Sequence, residues 1–175
     1  MAFTLLKPTG IDLSQTFNFT GSVSGAGGGK VLQVLNVEDD TAISTTNGSL
    51  QDTGLALNIT PSATSSKIFI QIQPQLLAQS NNEEAGLGFG ISREIDDANN
   101  TTVFETKYSY DGLYMASSDG SNADNIRAYP YVAHLDSPNT TGVCRYKFRI
   151  KAYSCTAKFN EASGRSRMYL FEVGA

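Results

Sequence analysis

The sequence has no tryptophan, one histidine and two cysteines in 175 residues. A single imidazole does not make the His-rich set of most zinc centres, and Cys144 and Cys155 are not spaced as a metal-ligand pair. Two cysteines do not build a disulfide framework either, so reduced core thiols are the expectation. Charge is scarce, at 17% of residues with a net of −4. That argues against broad nucleic-acid binding, which needs a basic footprint. No apolar run approaches the ~20 residues that span a bilayer, so no membrane segment is expected. Residues 1–7 lack a basic region followed by a long apolar core, which points to synthesis and assembly in a cytoplasm. No G-x-S-x-G elbow occurs, and no segment has a convincing helical period.

What is present is alternation. In residues 54–73, GLALNITPSATSSKIFIQIQ, Leu55, Leu57 and Ile59 alternate with Ala56, Asn58 and Thr60. Ile68, Ile70 and Ile72 then alternate with Phe69, Gln71 and Gln73. A period of two sends one row into a core and the other to a more polar face. Pro61 and the hydroxyl-rich residues after it stop the first strand near Thr60. The two strands either pair directly or cross between sheets. Residues 144–152 alternate most cleanly: Cys144, Tyr146, Phe148, Ile150 and Ala152 against Arg145, Lys147, Arg149 and Lys151. Residues 31–37 (VLQVLNV) are apolar on both sides, as in a central or interface strand. Further strands are expected at 42–46, 102–108, 126–135 with a bend at Pro130, 155–159 and 167–173. Loops are expected at 79–84, 96–100 and 111–125. Eight to ten strands without helix predict an all-β fold, an antiparallel β-sandwich with the jelly roll as one form open to it.

Residues 21–29 (GSVSGAGGG) have linker composition. Residues 1–29 therefore read as an N-terminal arm before a sandwich domain at 30–175. Its apolar residues Phe3, Leu5, Leu6, Phe17 and Phe19 are candidates for anchoring. Gly29-Lys30 resembles the end of a phosphate loop, but Ser24 and Val31 stand where glycine and a hydroxyl belong, and a strand follows. Gly86, Gly88 and Gly90 leave one strand face bare, for a bend or for close approach by another strand or subunit. With Val31 and Val34 they form a candidate subunit interface.

Chemistry-bearing groups are few. His134 and Asp136 share a strand face at i and i+2, as two metal ligands or a base with its orienter would, and a polar, half-exposed histidine is the default reading. The carboxylate pairs Asp39/Asp40, Glu83/Glu84 and Asp96/Asp97 lie in polar stretches and lack the opposed geometry of a glycosidase. Residues 119–124 are oxygen-rich but lack calcium-loop spacing. No catalytic residue, metal site or cofactor is assigned. The four cations of 144–152 suit an acidic partner surface or an anionic polymer, but a solvated face that also discourages edge aggregation is the favoured reading. Tyr108, Tyr110, Tyr114, Tyr129 and Tyr131 cluster around the long loop, where Tyr110, Tyr114, Asp119 and Asp124 are candidates for ligand contact.

The segment DTGLALNITPSATSSKI resembles one that recurs in structural proteins of tailed bacteriophages, particularly phages of marine bacteria. TLLKPTGIDLSQTFNFTGSVSGAGGGKVLQVL, LDSPNTTGVCRYKFRIKA and the final YLFEVGA are similar to the same pattern, in order along nearly the whole chain. The resemblance implies a non-enzymatic virion protein, a capsid decoration or short fibre component held by its arm, and a homotrimer contacting other virion proteins. A host-receptor or glycan-binding module at a fibre tip is the alternative. A two-carboxylate carbohydrate enzyme is the third. Neither nucleic acid nor membrane is an expected partner.

Overall fold

The computed structural model describes residues 30–80, 84–116 and 125–174. The proposed arm and the loop positions Asp119 and Asp124 lie outside them. Among the described residues every regular element is a strand, and the ladders are antiparallel.

The described residues form thirteen strands, in order β1 (Val31–Asp39), β2 (Ile43–Thr45), β3 (Gln51–Ile59), β4 (Lys67–Gln73), β5 (Leu76–Gln79), β6 (Glu84–Ile95), β7 (Ala98–Glu105), β8 (Leu113–Ala116), β9 (Asn125–Ala128), β10 (Val132–Asp136), β11 (Cys144–Tyr153), β12 (Thr156–Phe159) and β13 (Ser166–Val173). The first sheet runs β1-β13-β4-β10, and the second runs β3-β11-β6-β7 with β8 also on β6. Numbering the eight strands of these two paths along the chain gives 1-8-3-6 facing 2-7-4-5. That is the double Greek key of a jelly roll. The third sheet, β2-β12-β5-β9, repeats the order of the first. It continues that sheet beyond bends at 40–42, Pro74, 129–131 and 160–165. The bend at 129–131 divides the strand expected at 126–135, while β5 (Leu76–Gln79) was not expected and β8 (Leu113–Ala116) lies where a loop was expected at 111–125; these account for the strands beyond the eight to ten expected.

The two rows of 54–73 end in different sheets: β3 and β4 cross the sandwich and do not pair. Ile68, Ile70 and Ile72 face Leu55, Ile59, Phe148 and Ile150 in one core. The expected loop at 96–100 shrinks to a two-residue hairpin turn. Asp96 and Asp97 take positive φ of 50° and 59°, and Ile95 pairs with Ala98. Paired positive φ suits the primed turns that match strand twist, and aspartate tolerates it. The expected central position of 31–37 is also corrected. Among the described residues β1 pairs only with β13 and is the edge of its sheet.

Candidate functional site

The outward rows of the first sheet form an apolar band. Val34 pairs with Phe171, Phe171 with Phe69, and Phe69 with Leu135, so one register row crosses all four strands. Its ends are open: Val34 is 54% exposed and Leu135 50%. Phe69 and Phe171 are half-buried, with ring centroids 6.0 Å apart. The next row, Asn36, Tyr169, Gln71 and Ala133, is more polar. Val31 and Leu32 extend the apolar surface at the start of β1, both about half exposed. β1 has no ladder partner on its second side among the described residues. An exposed apolar row beside an unpaired edge is a protein-contact surface by chemistry, since soluble monomers usually charge or cover both.

Beneath this face, two carboxylates close one end of the core. Asp136 and Glu172 both pair with Ile68, on either side of β4, and Gln33 pairs with Glu172. Asp136 accepts a hydrogen bond from Tyr146 Oη at 2.6 Å and an ion pair from Arg93 at 2.5 Å, both on the opposite sheet. Burial, then the bond to Asp136, pushes the Tyr146 hydroxyl far up, so it remains a donor. Among the described residues no cation hydrogen-bonds Glu172. Its oxygens accept from Ser62 N (2.7 Å), Ser62 Oγ (2.6 Å) and Gln33 Nε2 (2.7 Å). Burial raises this carboxyl, but the bonds from Ser62 and Gln33 outweigh it and hold it at about 2, against an ordinary 4.5. A carboxyl lowered by folding stabilises fully above its unfolded pKa and loses that contribution as pH falls towards the folded one. Melting temperatures between pH 6 and 2 should therefore show Glu172→Gln well below the parent at pH 6, with the gap closing as pH approaches 2. A gap independent of pH would contradict this.

The glycine row of β6 is covered by its own chain. β7 leaves β6 after Glu105, and residues 106–112 rise over the outer face before β8 begins. Gly112 N donates to Leu87 O and Thr106 N to Phe89 O, both at 3.0 Å. A Cβ on Gly86 would lie 2.5 Å from Tyr110 Cβ, and one on Gly88 2.8 Å from Tyr108 O. Gly90 would meet Phe104 O at 2.8 Å. The close approach expected at these glycines is thus made within the chain, and Gly86, Gly88 and Gly90 are buried. Gly86→Ala should cost about 1–3 kcal/mol, because backbone-anchored atoms of Tyr110 cannot swing aside. Hydrogen exchange at 108–113 should speed up. Unchanged exchange there would mean that the segment does not depend on the bare strand.

Above the glycines lies a tyrosine cluster. Tyr110 stacks on Tyr108 (5.3 Å), tilts against Tyr114 (5.5 Å) and meets Tyr153 edge-on (5.0 Å). Tyr114 and Tyr153 donate their hydroxyls to Glu84 at 3.1 and 2.9 Å. Those bonds push both phenols up. Tyr110 and Tyr114 thus come together, while Asp119 and Asp124 lie outside the described residues. Tyr108 and Tyr114 remain open, each 46% exposed.

Several of the other polar groups singled out in the sequence have structural partners. His134 lies 5.8 Å from the Phe104 ring, and the carboxylate two residues on is held by Arg93 and Tyr146. Asp39 accepts from Thr41 N and Asp96 from Val143 N. The basic row of β11 is largely neutralised in its own sheet: Lys147 by Glu94 (2.5 Å), Arg149 by Asp52 (2.7 Å) and Lys151 by Glu105 (2.8 Å). Cys144 and Cys155 are free thiols, and burial pushes both up, away from the reactive thiolate. Among the described residues no three His, Cys, Asp or Glu side chains are grouped to hold a metal.

No protein-family model matches the chain, and no curated protein matches it. Among solved structures it is similar to chains of infectious bursal disease virus. For the Gx strain the TM-score is 0.36 at 14% identity, over 81% of this chain and 38% of that one. For the Gt strain it is 0.37 at 14%, over 93% and 44%. For the VP2 subviral particle it is 0.35 at 13%, over 81% and 38%. The chain thus spans about two fifths of the structures it matches. A likeness this distant assigns neither a family nor an activity, and what the site offers is read from its own residues.

Proposed function

We propose that this chain is a non-enzymatic structural protein of a virus particle, a capsid decoration or short fibre component of a tailed phage, attached through residues 1–29. The observation that carries this reading is the apolar band from Val34 to Leu135, on the sheet whose edge strand the arm enters. It supports a role in contact with other proteins. The ordered resemblance of four segments to tailed-phage structural proteins supports the placement on a virion. The same resemblance implies a homotrimer. The jelly roll agrees with a capsid or lectin-like module, although a fold does not carry a function by itself.

The test is re-addition of purified protein to particles that lack it, followed by gradient sedimentation. The full chain should co-sediment, and Phe17→Ser with Phe19→Ser should not. Equal binding by both would remove the anchoring role from the arm.

Receptor or glycan binding is the second reading. Its support is the pair of open tyrosines, Tyr108 and Tyr114, beside Glu84. Aromatic faces with a fixed carboxylate suit sugar stacking. Binding of the chain to host cells, abolished by Tyr114→Ala, would favour it.

A further inference from the structure

We propose that β1 is a two-fold interface, its free edge pairing antiparallel with β1 of a second copy of this chain. The proposal goes beyond the virion reading and does not depend on it. Three observations carry it. The first is that one side of this nine-residue strand has no ladder partner among the described residues. The second is exposure: Val31, Leu32 and Val34 all project into solvent, with no charge between them. Edge strands left alone usually carry a charge, a proline or a bulge; β1 has a bulge between Val31 and Gln33, but no charge or proline from Val31 to Val37. The third is the distribution of charge along the strand. Lys30 stands at its start, and Glu38, Asp39 and Asp40 at its end, around the apolar centre VLQVLNV.

Antiparallel pairing centred on Val34 uses that distribution. It sets Val34 opposite itself, Leu32 opposite Asn36 of the second copy, and, past the bulge between Val31 and Gln33, Lys30 near Glu38 of the second copy, a carboxylate that its own Arg167 also holds at 2.7 Å. All of these side chains are exposed, and directly opposed residues share a face. Two-fold symmetry makes the Lys30–Glu38 contact twice. Parallel pairing in register would instead bring the acidic ends together, so the strand's own charges select the antiparallel arrangement. The apolar row Val34–Phe171–Phe69–Leu135 then runs unbroken from one copy into the next, and two four-stranded sheets become one. A self-complementary patch of this kind closes on itself and does not grow into a fibre.

The test is the mass of the full chain by light scattering across a concentration series. The expected mass is an even number of protomers, two or a pair of larger assemblies. Val34→Lys puts two ammonium groups face to face at the symmetry axis. It should halve the mass and raise the dissociation constant at least about tenfold, with circular dichroism and melting unchanged because the side chain is exposed. Lys30→Glu should weaken association by setting it against the acidic end of the second copy. An odd number of protomers, or a mass that Val34→Lys leaves alone, overturns the proposal. So does a single-protomer mass that becomes even only when residues 1–29 are cleaved off, since the chain's own N-terminal segment then occupies the edge.

Discussion

Asp136→Ala is expected to lower the stability of the sandwich by about 3–5 kcal/mol, the usual cost of breaking a buried ion pair from one side. The residue is 8% exposed, and its carboxylate bridges the sheets to Arg93 and Tyr146. Removing it leaves a guanidinium and a phenol facing the core without their acceptor. A typical domain holds about 5–15 kcal/mol in total, so this one change takes a large share. Tyr146→Phe should cost far less, about 1 kcal/mol, because the charged pair survives. Replacing both ions together, Arg93→Met with Asp136→Leu, should be milder than Asp136→Ala alone, since no orphaned charge remains. Urea unfolding gives all three values from the shift in midpoint at constant slope. Equal losses for the single and double replacements would show that the carboxylate matters for packing and not for its partners.

Phe148→Ala should cost about as much, 3–5 kcal/mol, through a different mechanism. The ring is fully buried on β11, with Phe89 at 5.8 Å and Phe159 at 5.9 Å. Phe89 comes from the neighbouring strand of the same sheet, and Phe159 from the third sheet. Alanine would leave a cavity where the second and third sheets join, and backbone ladders limit how far the walls collapse. Phe148→Leu should recover much of the loss, because most of the volume is refilled. A loss below about 1 kcal/mol for Phe148→Ala would mean that this junction is not tightly packed.

The parts of the fold that were legible in the sequence are those where one residue type repeats at period two. Ile68, Ile70 and Ile72 could only form a buried row, and the inward set from Cys144 to Ala152 was equally plain. Proline and glycine marked the bends at Pro74 and Pro130 less clearly, because a bend within one strand and a break between two look the same until the ladder is known. Register was the larger gap. The cations of β11 looked like a solvated row, yet Glu94, Asp52 and Glu105 reach them from other strands, up to 99 residues away for the Arg149 side chain's contact with Leu50. The band from Val34 to Leu135 is likewise spread over four strands, with one residue from each. No local pattern announces it, although Val34 was already marked as an interface residue. The glycine row was visible, but only the structure shows that Tyr110 and Tyr108 of the same chain fill the space. Asp136 was considered as a ligand beside His134, and its partners Arg93 and Tyr146 were hidden because each lies on a different strand.

The most direct measurement of the central claim is mass spectrometry of gradient-purified virus particles from the culture that expresses this chain. A structural role requires the chain to be present in fixed proportion to the major capsid protein across fractions, and to stay with intact particles after a salt wash. Its absence from those particles, or an amount that varies freely from fraction to fraction, would contradict a virion role and leave the sandwich as a free binding module.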